Sequence, residues 1–444
     1  MLKCRVMLFF HKNILLISTL LCLYSCSKNI NIVDVGDGFS RNSINTVKFR
    51  NQAITTHKKH QFISYYDDES FLVLAKRKLN TSKWENHKTQ FKGNTKDAHN
   101  SISIAIDGNG FLHVSWDHHN TKLRYAKSLE PLSLELGEEL VMIGSLEDKV
   151  TYPEFYNLPN GNLLFFYRSG ESGRGNLVVN TYSLSTKKWT QLHDNLIDGE
   201  NERNAYTQTF VDKRGVIHIS WVWRETWDVE TNHDLCYARS KDGGLTWEKS
   251  TGEKYSLPIT LNTAEYAWKI PQKSNLINQT SMTIDDNGNP FIVNYWNDDL
   301  EIPQFQFVYL DNGVWKLKNT GFRESKFYLG GGGTKSIPIS RPSIFVESLK
   351  DDRLVFVLFR DEERENKISL AYTSLRNNLW KVIDLTEETY GKWEPNYDVS
   401  LWNSKKQLHI FLQNVNQIDS EGSTNSKPTK VKVLEVKKIN QITN

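Results

Sequence analysis

The sequence predicts an all-β chain, a seven-bladed β-propeller with four-stranded antiparallel blades. Two observations lead there. One phrase occurs twice, 105 residues apart: Asp107-Gly-Asn-Gly110-Phe-Leu-His113-Val-Ser115-Trp116 and Asp212-Lys-Arg-Gly215-Val-Ile-His218-Ile-Ser220-Trp221. An Asp-x-x-Gly turn leading into an alternating strand that ends in Trp is a repeat unit, and internal repeats fix an architecture before any single residue does. The chain is also rich in Trp (13), Tyr (18) and Phe (21). With few long apolar runs of helical period, this composition favours strands.

Seven units follow in order, spaced by about forty to sixty residues, as four-stranded blades require. The first begins at 61–76, where Phe62, Ser64, Phe71, Val73 and Ala75 alternate, and closes on Trp84. The second holds 102–116 and 123–126; the third holds 162–167, 177–182 and Trp189. The fourth spans 210–247 and ends in Ser240-Lys-Asp242-Gly-Gly244-Leu-Thr246-Trp247, the S-x-D-x-G-x-T-W turn called an Asp box. The fifth keeps a weaker form of the phrase, Asp285-x-x-Gly288, within 282–296, followed by 305–309 and Trp315. The sixth comprises 354–359, 368–372 and Trp380, and the seventh 408–412 with 431–436. Residues 420–428 read as a polar loop inside the last blade, and the tail after Lys437 as frayed.

The ends add an address. Residues 1–25 carry Lys3, Arg5 and Lys12, no acidic residue, and an apolar run from Ile14 to Tyr24, the layout of an export signal. Leu23-Tyr24-Ser25-Cys26 has the form of a lipobox, so Cys26 is expected to carry lipid and to anchor the chain to a bacterial outer membrane, at the cell surface or periplasmic face. Residues 26–45 are expected to be a tether, and 46–444 the propeller. Loss of the leader leaves 52 basic against 52 acidic residues, so charge points to neither nucleic acid nor an anionic membrane surface. Of four cysteines only Cys236 then stays free. A disulfide framework is excluded, and the core alone must hold the fold. A monomer is expected.

Three segments place proton-transferring or cationic side chains where inner strands meet their loops. Asp97-Ala-His99-Asn100 enters blade two and Trp116-Asp117-His118-His119-Asn120 leaves its inner strands. The hairpin between them returns the chain to the same end of the sheet, which brings His99 beside His119. Thr151-Tyr152-Pro153-Glu154 precedes an apolar strand ending in Arg168 and a Gly-rich turn. An arginine at a funnel mouth is a permanent, planar cation suited to carboxylate or sulfate, though an ion pair between blades uses the same residue. Asn204-Ala-Tyr206 and Trp223-Arg224 repeat that arrangement in blade four. Arg341-Pro342 and Trp393-Glu394-Pro-Asn-Tyr397-Asp398 resemble the Tyr152-Pro153-Glu154 entrance in later blades. They either complete a ring of ligand contacts or lock blades together, the latter favoured for Glu394 and Asp398. His233 and Cys236 form a possible metal half-site; the alternative is a small buried thiol on a strand.

Asp97-Ala-His99-Asn100, Trp116-Asp-His-His119, Phe166-Tyr-Arg168-Ser-Gly and Asn232-His-Asp-Leu before the Asp box together resemble the propeller polysaccharide lyases that cleave ulvan, families twenty-four and twenty-five. The resemblance covers blades two to four by motif and the rest by architecture. It implies β-elimination between 3-sulfated rhamnose and a uronic acid, leaving an unsaturated uronate end. It further implies catalytic roles for His99, Tyr152 and Arg168, substrate contacts from His119 and Tyr206, no cofactor for the chemistry, and a structural zinc for which His233 and Cys236 are the candidates. Asn100, Arg224 and Arg341 are expected to contact substrate from their positions in the blades. Two rivals stand beside it. A sialidase-like glycoside hydrolase needs a Tyr–Glu pair, an acidic general acid and an early Arg-Ile-Pro motif, and that motif is missing near the N-terminus. A non-catalytic surface lipoprotein that binds glycan would use the same hydrogen-bonding groups, since fold alone does not fix function.

Overall fold

The computed structural model describes residues 30–279, 281–377 and 379–443. The expected leader and Cys26 lie outside the described residues. Seven antiparallel sheets are arranged as blades, and the inner strands of blades two to six pack side by side around the axis. Blade one comprises Ile54–His57, His60–Tyr66, Phe71–Lys78 and Glu85–Lys92. Blade two comprises Ile102–Ile106, Leu112–Trp116 and Tyr125–Lys127, with an outer bridge between Ser128 and Leu136. Blade three (Val150–Asn157, Leu163–Glu171, Arg174–Ser183, Lys188–Ile197) gains a fifth strand, because His119–Thr121 crosses from blade two to pair with its inner strand. Blade four runs Asn204–Val211, Ile217–Arg224, Asn232–Ser240 and Glu265–Trp268; blade five Ser281–Ile284, Pro290–Asn297, Pro303–Asp311 and Val314–Asn319; blade six Ser343–Ser348, Arg353–Arg360, Ile368–Ser374 and Lys381–Asp384.

Blade seven closes the ring and corrects the expected tether. Within 26–45, Ile30–Gly38 is a strand that pairs antiparallel with Thr429–Val436, which pairs in turn with Leu408–Gln413; Tyr397 bridges Ile410 on the inner side. Val33 and Val35 point into the core while Asn31, Ile32 and Asp34 stay exposed. The first and last segments of the propeller thus share one sheet, and the propeller begins at Ile30 rather than at 46. The tail expected to fray is tied down as well: Ile439 is buried, the short helix Asn440–Thr443 follows, and Tyr372 Oη donates to the Thr443 carbonyl at 2.8 Å.

The repeated phrase is scaffold, and its two copies are built alike. Asp107 Oδ1 accepts from the backbone N–H groups of Asn109 and Phe111, and Asp212 Oδ1 from those of Arg214 and Val216. Gly110 and Gly215 take the left-handed conformation that each turn needs, at φ +91° and +84°. His113 and His218 are fully buried, each within 2.8 Å of a tyrosine hydroxyl on the next strand, Tyr125 and Tyr237, and each faces the aspartate of its own turn. Burial keeps both imidazoles below their ordinary pKa, so they act as neutral core pins. The Asp box is knit similarly: Thr246 Oγ1 donates to Asp242 at 2.6 Å, and the Trp247 indole donates to the Gly244 carbonyl at 3.0 Å. Between blades three and four, Phe166, Val179, Ile219, Trp221, Trp223, Cys236 and Trp247 form one buried cluster. Each such side chain stabilises the fold by about 1.5–3 kcal/mol.

Candidate active site

The site lies where the loops entering blades two, three and four meet at the axis. Asp97 organises the first part. Its Oδ1 accepts from the His99 backbone N–H and lies 2.9 Å from His99 Nδ1, and its Oδ2 lies 2.6 Å from His119 Nδ1. The two imidazoles stack with centroids 4.0 Å apart. The hairpin of blade two delivers this pair as the sequence implied. The intervening His118 is instead buried against Ser115 and Arg124, and burial drives it down to about 3. Asn100 anchors the entry loop, donating from Nδ2 to the Asn94 carbonyl, while its own carbonyl accepts from Tyr66 Oη.

Two further groups reach His99 from far along the chain. Glu421 Oε1 lies 3.2 Å from His99 Nδ1, and Thr334 Oγ1 lies 3.3 Å from it. Burial of the ring opposes a charge, but Asp97 and Glu421 outweigh it and raise His99 to about 9. His99 is therefore an imidazolium at neutral pH. Asp97 is half-buried, which opposes its charge, yet its two histidine partners hold it below the usual carboxylate range. Replacing Glu421 by glutamine removes one of the two anions, so the His99 titration is expected to move toward the ordinary imidazole value. NMR titration of the ring Cε1–H signal checks this, and an unmoved His99 would show that Asp97 acts alone.

The second part is a cation–tyrosine cluster. Tyr152 sits at a bulge in the inner strand of blade three with φ +56°, a left-handed conformation that costs a non-glycine residue about 1–3 kcal/mol and is tolerated chiefly at functional sites. Its ring meets Phe49, His99 and Tyr206 at centroid distances of 5.3, 5.8 and 5.8 Å. Arg168, 6 % exposed, lies against the Tyr152 ring and donates from Nη2 to Thr151 Oγ1 at 3.0 Å. Among the described residues no carboxylate comes within ion-pair distance of it, and its Nε has no partner. The expected alternative, a salt bridge between blades, is not what this arginine makes. Arg224 likewise lies over the Tyr206 ring, and its guanidinium donates to the carbonyls of Thr226 and Trp227.

These two cations divide the tyrosines. Burial alone would raise the Tyr206 phenol, but Arg224 and Arg168 outweigh it and bring it to about 7. Burial and the adjacent Tyr206 push Tyr152 well above its ordinary value. Of the two, Tyr206 is the phenol poised to ionise near neutral pH between two guanidinium groups, while Tyr152 keeps its proton.

Arg341 and the metal candidates turn out differently from the rest. Arg341 lines the same pocket, but its Nη1 is gripped by both oxygens of Glu394 at 2.9 and 3.0 Å; its charge is spent locking blades together. His233 and Cys236 do not fit a metal centre. A bulge opposite Trp221 and Trp223 turns Cys236 into the core, where burial lifts its thiol far above the usual range. His233 Nε2 instead lies 2.8 Å from Glu225 and its Nδ1 3.1 Å from Asp234. Among the described residues, the histidine and carboxylate atoms that converge as a group of three belong to Asp97, His99 and His119.

Fold and site together define a β-propeller whose axial pocket joins an ionised histidine, a tyrosine pair and an unpaired arginine. The chain belongs to the BNR repeat-containing family, whose pattern matches residues 60–322. It is 21% identical over 400 residues to the long isoform of an ulvan lyase from an Alteromonas species, covering 73% of this chain and 39% of that protein. It is 23% identical over 307 residues to the short isoform from Alteromonas sp. strain LOR, covering 55% and 57%. The chain thus spans about two fifths of the long relatives it matches. In fold it resembles the crystal structure of polysaccharide lyase Uly1, with a TM-score of 0.68 and 14% identity over 91% of this chain and 99% of that one. A family twenty-five ulvan lyase bound to -[GlcA(1-4)Rha3S]- aligns with a TM-score of 0.67 and 14% identity, over 91% and 95%.

Proposed function

We propose that this chain is a polysaccharide lyase that cleaves ulvan by β-elimination between 3-sulfated rhamnose and a uronic acid. The observation that carries the reading is Arg168, a buried guanidinium without a carboxylate partner among the described residues and with an unpartnered Nε, set against two tyrosines and beside an ionised histidine. A buried cation with no carboxylate beside it and an unused Nε donor is a receptor for an anion that arrives with the substrate. In β-elimination the C5 proton of a uronate leaves, the C4–O4 bond breaks and a C4–C5 double bond forms. The proton becomes acidic only when the carboxylate's charge is neutralised, which is the task of Arg168. Tyr206, held near neutrality by Arg224 and Arg168, then takes the proton. His99, charged at neutral pH, gives a proton to O4, and His119 holds Asp97 and the substrate's edge. Tyr152, kept protonated, donates a hydrogen bond. The similarity to ulvan lyases supports the substrate class.

Hydrolysis fits the pocket less well. A glycoside hydrolase needs two carboxylates free to flank the bond. Here Glu154 accepts from Tyr156 Oη and burial raises it to about 8, Glu394 grips Arg341, and Asp97 holds the histidines. Export and lipid attachment through Cys26 rest on the leader sequence and complete the proposal: a surface enzyme meeting a polymer too large to import. Incubated with ulvan, the purified protein is expected to generate the ultraviolet absorbance of an unsaturated uronate. Reducing ends without that absorbance would mean hydrolysis, and binding without new ends would mean a glycan-binding lipoprotein.

A further inference from the structure

We propose that Trp227 is the floor of a sugar subsite at the mouth of the pocket, where the apolar face of a pyranose next to the reacting uronate stacks on the indole. Trp227 is 63 % exposed on the loop that follows Arg224. It is nonetheless held firmly. Arg224, which lines the pocket with His99 and Tyr152, donates to the Trp227 carbonyl. Asp228 Oδ1 accepts from the Gly331 N–H at 2.7 Å, and the Val229 N–H donates to the Gly331 carbonyl at 3.0 Å. Tyr328 Oη donates to Glu230, and its ring is 75 % exposed beside this loop.

The second observation is the backbone laid against the ring. A Cβ on Gly332 would stand 2.8 Å from Trp227 Cε3, so only glycine lets this strap pass. The same strap continues through Gly333 to Thr334, which touches His99. The indole therefore rests, at Cε3 and Cζ3, on a segment that ends at the catalytic imidazole, and most of its surface stays exposed. A rigid, exposed aromatic with an apolar face and a polar surround is complementary to a sugar ring, whose C–H groups lie on its faces and hydroxyls on its edge. The carboxylates of Asp228 and Glu230 on this wall repel an anion. The fitting unit is thus a pyranose laid on its apolar face, with any charged substituent turned away from these carboxylates.

This inference rests on the lyase reading, and its test separates the two. Ulvan cleavage is followed at the unsaturated-uronate absorbance for the wild type, Trp227→Ala and Trp227→Phe, and binding of size-fractionated ulvan oligosaccharides is measured calorimetrically in a Tyr206→Phe background. Trp227→Ala is expected to raise KM and weaken binding about tenfold with kcat within about twofold, and Trp227→Phe to restore most of the loss. KM and affinity unchanged in Trp227→Ala, or a loss confined to kcat, would overturn the subsite. A wild type that makes no absorbance would sink the lyase reading alone, leaving the calorimetric comparison to decide whether Trp227 holds sugar.

Discussion

Arg168→Ala is expected to abolish turnover on ulvan, lowering kcat by about 10²–10³-fold or more, while thermal melting stays where it was or rises. The magnitude is that of removing one preorganised group aimed at charge developing in a transition state. The stability half follows from the same isolation that makes the residue useful. Arg168 is 6 % exposed, donates one side-chain hydrogen bond to Thr151, and has no ion-pair partner among the described residues. Burying a charge with no carboxylate beside it costs free energy that the Tyr206 phenol returns only in part, so its loss does not weaken the fold. Gly175 packs on its aliphatic stem, with a hypothetical Cβ 2.7 Å from Arg168 Cγ, and the small cavity left by alanine offsets part of the cost removed. Arg168→Lys keeps a positive charge but loses the planar fork, and is expected to recover only part of the rate. Full activity in Arg168→Ala, or melting lowered in proportion to activity, would return the residue to a structural role.

The contrast with Arg341 shows how far sequence can reach. For each arginine, the sequence leaves open a contact to substrate or a link between blades. What separates them is Glu394, which comes from a later blade to bind Arg341 and has no counterpart at Arg168. Partners of that kind are invisible along the chain. His99 and His119 were legible as a pair because a short hairpin joins them, and local turn chemistry is written in local sequence. Glu421 and Thr334, which tune His99, come from loops of the last blade and of the connection into blade six; nothing near them marks either. The blades were legible because each carries its own turn and alternation, whereas the closing strand Ile30–Gly38 was not. Its register is broken between Asp34 and Gly36, and its partner lies at the other end of the chain, so neither periodicity nor neighbours announce a strand. His233 and Cys236 failed as a metal pair for a related reason. A bulge between them sets one toward carboxylates and the other into the core.

Tyr206→Phe carries the other large effect, because it tests which group takes the proton. General base assistance is worth about 10²–10⁴-fold, and the loss of kcat is expected in that range, with melting little changed since the hydroxyl makes only long contacts of 3.4 Å to Ser172 and Arg224. The pH profile of kcat/KM makes the assignment sharper. A base must be deprotonated to act, so activity rises as pH climbs through the Tyr206 value of about 7. An acid must keep its proton, so activity falls as pH passes the His99 value of about 9. The wild-type curve is expected to be a bell between those limbs, reporting the coupled site rather than isolated residues. In Tyr206→Phe the residual activity should lose the rise near 7 and keep the fall near 9. In Glu421→Gln the rise should stay and the fall should move to lower pH, since one anion supporting the imidazolium is gone. If Tyr206→Phe instead retained the acidic limb while Tyr152→Phe erased it, the proton would belong to Tyr152, and binding would have moved the charge from one tyrosine of the pair to the other.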